Sequence, residues 1–101
     1  MAKKTIIYWR DIPAQVIVQR GRVREKAHLS SRFQEAIDRA AMRAGKGGSD
    51  VYLAEWRRDT TVCEEQDDPA EIVRREAERL EGAYSNERLL ELIRSHGSAE
   101  K

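Results

Sequence analysis

Two short segments rich in β-branched and aromatic residues stand on either side of a turn near the start of the chain. The first is TIIYW at residues 5–9 and the second is AQVIVQR at residues 14–20, and each is typical of a strand. Pro13, just before the second segment, lacks a donor N–H and favours a turn. The two segments therefore predict a β-hairpin, which ends in a bulge or bend at Gly21.

A helix follows the hairpin. Ser31 and Gln34 have the spacing of a capping box, in which each side chain satisfies a free backbone donor at the helix start. Gly45 is suited to end the helix, because glycine adopts positive φ without a side-chain penalty. We expect the apolar stripe of this helix to cover the hairpin. The stripe consists of Phe33, Ala36, Ile37, Ala40, Ala41 and Ala44.

The second half of the chain predicts one more strand and two more helices. Residues 51–57 are apolar and aromatic and predict a strand that carries Trp56 near its end. Asp68 as N-cap and Pro69 as first helical residue begin one helix, and Ser85 can cap the last. The order β-β-α-β-α-α predicts an α+β fold of two layers, a three-stranded antiparallel sheet with helices on one face.

Length and composition predict a single domain with a thin core. The chain has 101 residues, of which 40% are hydrophobic and 37% are charged, whereas about 25% charged residues is ordinary. We expect one domain over 1–101, with the sheet and first helix in 5–66, acidic helices in 67–96 and a frayed tail at 97–101. No segment approaches the roughly 20 apolar residues that cross a bilayer, and the N-terminus does not resemble a signal peptide. One cysteine, Cys63, cannot form an internal disulfide, which favours the cytoplasm.

Charge is divided between the two halves. Residues 1–48 carry eleven Lys/Arg and four Asp/Glu, while residues 49–101 carry eight and fourteen, so the net charges are +7 and −6. The halves could attract each other within one fold, or the basic half could meet an anionic partner.

The two tryptophans occur in nearly the same phrase, Trp9-Arg10 and Trp56-Arg57, and Arg58 follows the second. Two interpretations stay open. Both indoles could be buried in the core while the arginines form solvated pairs with nearby Asp residues. Alternatively, tryptophan and arginine together could form the kind of surface that is enriched in protein–protein hot spots.

The segment RGRVREK presents alternating cations. Arg20, Arg22, Arg24 and Lys26 would all project to one side of an extended chain. This basic stripe could bind phosphates or an acidic protein surface. It could equally protect a sheet edge, because charged side chains discourage edge-to-edge pairing.

Three segments of the chain carry a resemblance to a known family. TIIYWRDIPAQVIV, RFQEAIDRAAMRAG and DVYLAEWRR resemble the small bacterial virulence factor family, whose domain also occurs within the larger conserved virulence factor C proteins. The resemblance covers residues 5–58. It transfers no activity and no catalytic residue. The resemblance implies a setting in which the family's genes often lie near corrinoid and folate methyl-transfer genes, and with it an accessory role in one-carbon metabolism.

Catalysis and metal binding find little support in the sequence. Cys63, His28 and His96 are scattered without a motif that would join a nucleophile to a base, and they lack the spacing of metal ligands. The glycine-rich residues 44–50 follow a helix and precede a strand, which reverses the context of a phosphate-binding loop. The acidic residues 64–68 fit a solvated linker. We expect no catalytic residue, no cofactor and no metal.

The sequence therefore predicts a non-enzymatic cytoplasmic module that docks on another protein, with an acidic protein as one candidate. The predicted binding residues are Trp9, Arg10, Arg20, Arg22, Arg24, Lys26, Trp56, Arg57 and Arg58. Nucleic-acid binding by the basic half is an alternative, although no ribonucleoprotein motif, helix-turn-helix or zinc finger accompanies it. The resemblance implies a second alternative, an accessory subunit of a corrinoid/folate methyl-transfer system. No membrane partner is expected, and the oligomeric state stays open.

Overall fold

Four antiparallel strands form one sheet, and helices pack against it. The computed structural model describes residues 2–45, 49–63 and 67–98. The strands lie in the order β3-β2-β1-β4. In chain order the elements are β1 (Ala2–Trp9), β2 (Ile12–Arg20), β3 (Val23–His28), α1 (Ser31–Arg43), α2 (Ser49–Ala54), β4 (Trp56–Cys63), α3 (Pro69–Ala83) and α4 (Asn86–Arg94).

The predicted α+β class is confirmed, but the prediction of three strands is wrong. Residues 51–57 do not form the third strand, since α2 occupies most of this segment and β4 begins only at Trp56. Strand β3 was not predicted either. Both β3 and β4 lie at sheet edges and are largely exposed, so neither shows the apolar alternation that marks a half-buried strand.

Gly21 makes a tight turn rather than a bulge. Arg20 pairs with Val23, so Gly21 and Arg22 form a two-residue hairpin between β2 and β3. Gly21 has a φ of 60°, as the first central position of a type II′ turn requires, and this turn matches the twist of the strands it joins. The predicted β1–β2 hairpin is confirmed.

The core lies between the helices and the sheet face that carries Ile6, Val16 and Val18, all of which are buried. Helix α3 lies across β2 and β3, while α1 packs against β2 and α4. The predicted stripe of α1 is confirmed, because Phe33, Ala36, Ile37, Ala40 and Ala41 are buried. The expectation that α1 covers the hairpin is therefore only partly met, since α3 provides much of the cover.

Helix starts were predicted with mixed success. Asp68 accepts a hydrogen bond from the N–H of Ala70, and Ser85 accepts one from the N–H of Arg88, so both N-caps are confirmed. The capping box at Ser31 is wrong: α1 is preceded by Ser30 as its N-cap. The Ser30 N–H and hydroxyl both donate to the carboxylate of Glu81 at the end of α3, at 2.6 and 3.0 Å. A tertiary contact thus replaces the local cap.

Candidate functional site

Trp9 is a central part of the core. Its side chain is fully buried, its Nε1–H donates to the carbonyl oxygen of Tyr52 at 2.9 Å, and its ring stacks on that of Tyr52 with centroids 5.8 Å apart. Gly97, after α4, packs against the other part of the indole, so closely that a Cβ there would lie 2.8 Å from Cζ3. Gly97 is buried, although the sequence had placed it in a frayed tail. Residues 99–101 of that tail lie outside the described residues. Trp9 is thus unavailable to a partner, contrary to its prediction as a binding residue.

Arg10 and Arg57 are held by intramolecular contacts. Arg10 donates from Nε to Glu55 at 3.2 Å and from Nη1 to the carbonyl oxygen of His96 at 2.8 Å, and its guanidinium lies over the Trp9 ring. Arg57 donates to the carbonyl oxygen of Arg10 at 2.9 Å and to the carboxylate of Asp11 at 3.0 Å. These contacts join the ends of β1 and β4, so both predicted binding residues have structural roles.

Tyr8 provides the surface on which Arg57 lies, with the guanidinium carbon 4.4 Å from the ring centroid. Burial raises the pKa of the Tyr8 hydroxyl, and the neighbouring Tyr84 and Asp59 raise it further. Arg57 and Arg79 act in the opposite direction. A raised pKa keeps Tyr8 neutral around pH 7, so its ring remains an uncharged platform for the guanidinium.

The predicted basic stripe is divided by the turn at Gly21. Arg20 lies opposite Val23, and its Nη2 donates to the carbonyl oxygen of Asp67 just before α3. Arg24 and Lys26 lie on the other face of the sheet, where each pairs with an outward β2 residue, Gln19 or Ile17. Four cations on one side would need one continuous extended chain, whereas the two-residue turn reverses the chain after Arg20. Arg22 is exposed in the turn itself.

Strand pairing defines an open face on the side of the sheet away from α3. Lys4 of β1 binds Glu76 of α3, so the alternate residues of β1 point away from that helix. Partners in register share a face, which extends the open face to all four strands. The open face consists of Lys3, Thr5, Ile7, Gln15, Ile17, Gln19, Arg24, Lys26, His28, Trp56, Arg58, Thr60 and Val62. Trp9, the register partner of Trp56, belongs to the same side of the sheet but is covered there by Tyr52 and Gly97.

The open face is basic. Among the described strand residues that form it, none is Asp or Glu, while Lys3, Arg24, Lys26 and Arg58 are cations. None of these four has a carboxylate partner among the described residues. The opposite face differs, because Lys4 pairs there with Glu76, which also binds Arg79. Among the described strand residues, the unpaired cations therefore all lie on the side that the helices leave uncovered.

Two shallow depressions lie on the open face, on either side of Arg58. One, of about 270 Å³, is lined by Ile7, Gln15, Trp56, Arg57 and Arg58. Trp56 is half-buried there and meets the Tyr52 ring edge-on at 5.9 Å. In this depression the buried Gln15 Oε1 has no hydrogen-bond donor among the described residues, so it remains able to accept one.

The second depression, of about 460 Å³, is lined by donors around a buried Ile17. Lys3, Arg24 and Arg58 supply cationic groups, and Gln19 supplies an amide. The hydroxyls of Thr5 and Thr60, 2.9 Å apart, share one hydrogen bond, which leaves the second hydroxyl hydrogen free to donate outward. The arrangement is suited to carboxylate or phosphate oxygens.

A model of the virulence factor family matches residues 7–93 of the chain. The chain belongs to the virulence factor family. The match includes α3 and most of α4, and therefore extends beyond the residues that carried the resemblance in the sequence. No curated protein and no solved structure matches the chain.

The structure of this virulence factor family domain shows no metal site in its described part: no group of three His, Cys, Asp or Glu side chains could hold an ion there. Cys63 is a buried free thiol at the end of β4. The glycine-rich and acidic segments considered for phosphate and cation binding fall partly on residues 46–48 and 64–66, which lie outside the described residues. None of the helices in the part of the chain that the structure describes is long and apolar enough to cross a membrane.

The sequence predicted some residues of this candidate site and not others. Of the predicted binding residues, Arg24, Lys26, Trp56 and Arg58 share the open face. Lys3 and the open-face residues of β1 and β2 that lie between these cations were not predicted. Alternation within 5–9 and 14–20 separates two faces but does not say which one the helices cover. The burial of Ile6, Val16 and Val18 and the contact between Lys4 and Glu76 decide it.

Proposed function

We propose that this virulence factor family domain is a non-enzymatic cytoplasmic module that binds an acidic surface of a partner protein through its open face. The observation that carries the proposal is the charge of that face: Lys3, Arg24, Lys26 and Arg58 have no carboxylate partner among the described residues, and no described strand residue of the same face is Asp or Glu. Complementary charge steers association and excludes partners of the same sign. The half-buried Trp56 beside Arg58 adds the residue types that are enriched in hot spots.

The central residues favour a protein over single-stranded nucleic acid. Sheet surfaces that bind single strands present aromatic rings on which successive bases stack. Here β1 and β2 present Ile7, Ile17 and Thr5 at those central positions, and Trp9 is buried. The resemblance implies an accessory role beside corrinoid and folate methyl-transfer enzymes, so these enzymes are one class of candidate partner.

Charge reversal on the open face tests the proposal. The triple variant Arg24→Glu, Lys26→Glu, Arg58→Glu should bind a fluorescein-labelled polyglutamate peptide at least about tenfold more weakly than the wild type, measured by fluorescence anisotropy. The matched control reverses three exposed helical arginines that have no carboxylate partner among the described residues, Arg39, Arg43 and Arg94. Circular dichroism should show both triple variants folded.

Three outcomes contradict the proposal. Equal loss in both triple variants would show that only net charge matters. Unchanged binding in the open-face variant would exclude this surface. A labelled single-stranded oligonucleotide that binds more tightly than polyglutamate, with affinity falling steeply as salt rises, would identify a nucleic-acid-binding protein instead.

A further inference from the structure

Strand β4 lies at an edge of the sheet, and its outward backbone groups have no hydrogen-bond partner among the described residues. The N–H of Arg10 donates to the carbonyl oxygen of Glu55 at 3.1 Å, which makes the adjacent register partners Trp9 and Trp56 a non-hydrogen-bonded pair. Hydrogen-bonded and non-hydrogen-bonded pairs alternate along an antiparallel ladder. The backbone N–H and C=O groups of every second β4 residue therefore point away from β1. These residues are Arg58, Thr60 and Val62, and their side chains lie on the open face.

The two edges of the sheet differ in protection. Strand β3 carries Arg24, Glu25 and Lys26 at its middle, and α3 packs against it. Strand β4 carries Arg57, Arg58 and Asp59 in its first half, but its second half consists of Thr60, Thr61, Val62 and Cys63, without proline and in unbroken register with β1. Val62 is 59% exposed. Charges, prolines and bulges are the usual devices that prevent an edge from pairing, and this half of β4 has none of them.

Two unpaired charges indicate what this edge can accept. Arg58 projects onto the open face and Asp59 onto the other, and neither forms an ion pair within the described residues. A strand added along β4 would place one side chain opposite each of them, where opposite charges stabilise the pair. The side chain opposite Thr60 would extend toward the donors of Lys3 and Arg58.

A second copy of β4 does not match both charges of this edge. Antiparallel self-pairing centred on Arg58 would oppose two Arg58 side chains, although it would also place Arg57 opposite Asp59, and pairing centred on Asp59 would oppose two Asp59 side chains. Like charges in direct opposition destabilise a sheet. A register centred on Thr60 would leave both Arg58 and Asp59 opposite neutral residues. A different strand, with an acidic residue opposite Arg58 and a basic one opposite Asp59, satisfies the backbone hydrogen bonds and both charges.

We propose that the partner contributes an extended acidic segment that adds to β4 as a fifth, antiparallel strand. This inference rests on the proposed function and specifies its mode: main-chain hydrogen bonds to Arg58, Thr60 and Val62 supply affinity, and alternate side chains supply specificity. Read from its N-terminus, the segment places an apolar residue opposite Val62, a Glu opposite Thr60, a Lys opposite Asp59 and a Glu opposite Arg58.

The probe is the capped peptide Val-Thr-Glu-Lys-Glu-Thr-Val, and its control replaces both Glu by Gln. In ¹⁵N-labelled protein, the amides of Arg58, Thr60 and Val62 should shift and become protected from hydrogen exchange when the Glu peptide binds. The Gln peptide should bind at least about fivefold more weakly, since hydrogen-bonded charge pairs contribute more than neutral ones. Binding without protection of these three amides overturns strand addition while leaving docking on the open face intact.

A proline variant separates the backbone contribution from that of the side chain. Val62→Pro removes an N–H that points away from β1, and proline is tolerated at such edge positions. Val62→Pro should weaken the binding of the Glu peptide about fivefold or more, because a hydrogen bond is lost and the proline ring blocks the approach of the added strand. The matched Val62→Thr should not weaken this binding. Equal affinities of the two variants, absence of binding by the Glu peptide, or dimerisation of the free protein through β4 in sedimentation would each overturn the inference.

Discussion

Substitution of Gly97 tests its direct packing on the buried Trp9, because two separate free-energy costs oppose any side chain at this position. Its φ is 91°, and a left-handed conformation costs a residue with a Cβ about 1–2 kcal/mol. An added Cβ would also lie 2.8 and 3.1 Å from Cζ3 and Cε3 of Trp9. Trp9 is fully buried and held by its hydrogen bond to Tyr52, so it has little room to move.

Overpacking of this kind costs about 1–3 kcal/mol. Gly97→Ala should therefore lower the free energy of unfolding by about 2–5 kcal/mol, the sum of the two costs. For a domain of this size that corresponds to a fall in Tm of about 8–20 °C. The hydrogen bond from the Asp11 N–H to the Gly97 carbonyl oxygen, 2.8 Å long, fixes the turn in place and prevents it from relaxing away from the indole.

Gly45, directly after the C-cap of α1, is the matched control. It also has positive φ, at 71°, but an added Cβ would meet nothing within 4 Å. Gly45→Ala should therefore show the conformational cost alone, about 1–2 kcal/mol or about 4–8 °C in Tm. Urea unfolding and thermal melts of both variants measure the difference. Equal destabilisation of the two would refute the steric contact between residue 97 and the indole.

Two further predictions concern buried groups. Trp9→Ala should cost about 3–5 kcal/mol in unfolding free energy. Trp56→Ala, at a half-buried site beside Tyr52, should cost clearly less in urea unfolding and should weaken acidic-peptide binding. A larger loss of stability at Trp56 than at Trp9 would contradict these roles. Hydrogen bonding to Arg79 lowers the pKa of the buried Glu76, against burial, which raises it, and Lys4 lowers it further. A carboxyl group whose pKa is lower in the folded state stabilises the fold at pH values above its unfolded-state pKa. This stabilisation is lost as the pH falls through the folded-state pKa. Glu76→Gln should therefore destabilise by about 1–3 kcal/mol at pH 7, with the deficit shrinking below about pH 4.5, as urea unfolding at both pH values would show.

The sequence predicted those elements whose signals are local. Asp68 followed by Pro69 begins a helix through its own side chain and its own fixed φ, and the apolar stripe of α1 needs no knowledge of its neighbours. The capping box at Ser31 failed because Glu81, far away in the sequence, took the N-cap's donors. Local chemistry is predictable until a tertiary partner competes for the same groups.

Edge strands escaped prediction for a different reason. Strand β4 is exposed on both faces over most of its length, so no face selects apolar residues and no alternation of hydrophobicity appears. The apolar residues just before it belong to α2, a helix too short for its periodicity to be distinguished from that of a strand. Because the candidate site depends on β3 and β4, Arg24, Lys26 and Arg58 were recognisable as cations, but their common face was not.

The repeated Trp-Arg phrase acquires its meaning from antiparallel pairing. Trp9 and Trp56 are register partners, and because the strands run in opposite directions, the residue after each tryptophan lies beside the residue before the other. Arg10 therefore meets Glu55 in a salt bridge, and Arg57 lies over the ring of Tyr8. Both pairs are complementary in this register, whereas a shift by one residue would break both and turn the β4 side chains to the opposite face. The phrase thus fixes the alignment of β4 on β1, and that alignment directs Arg58 onto the open face.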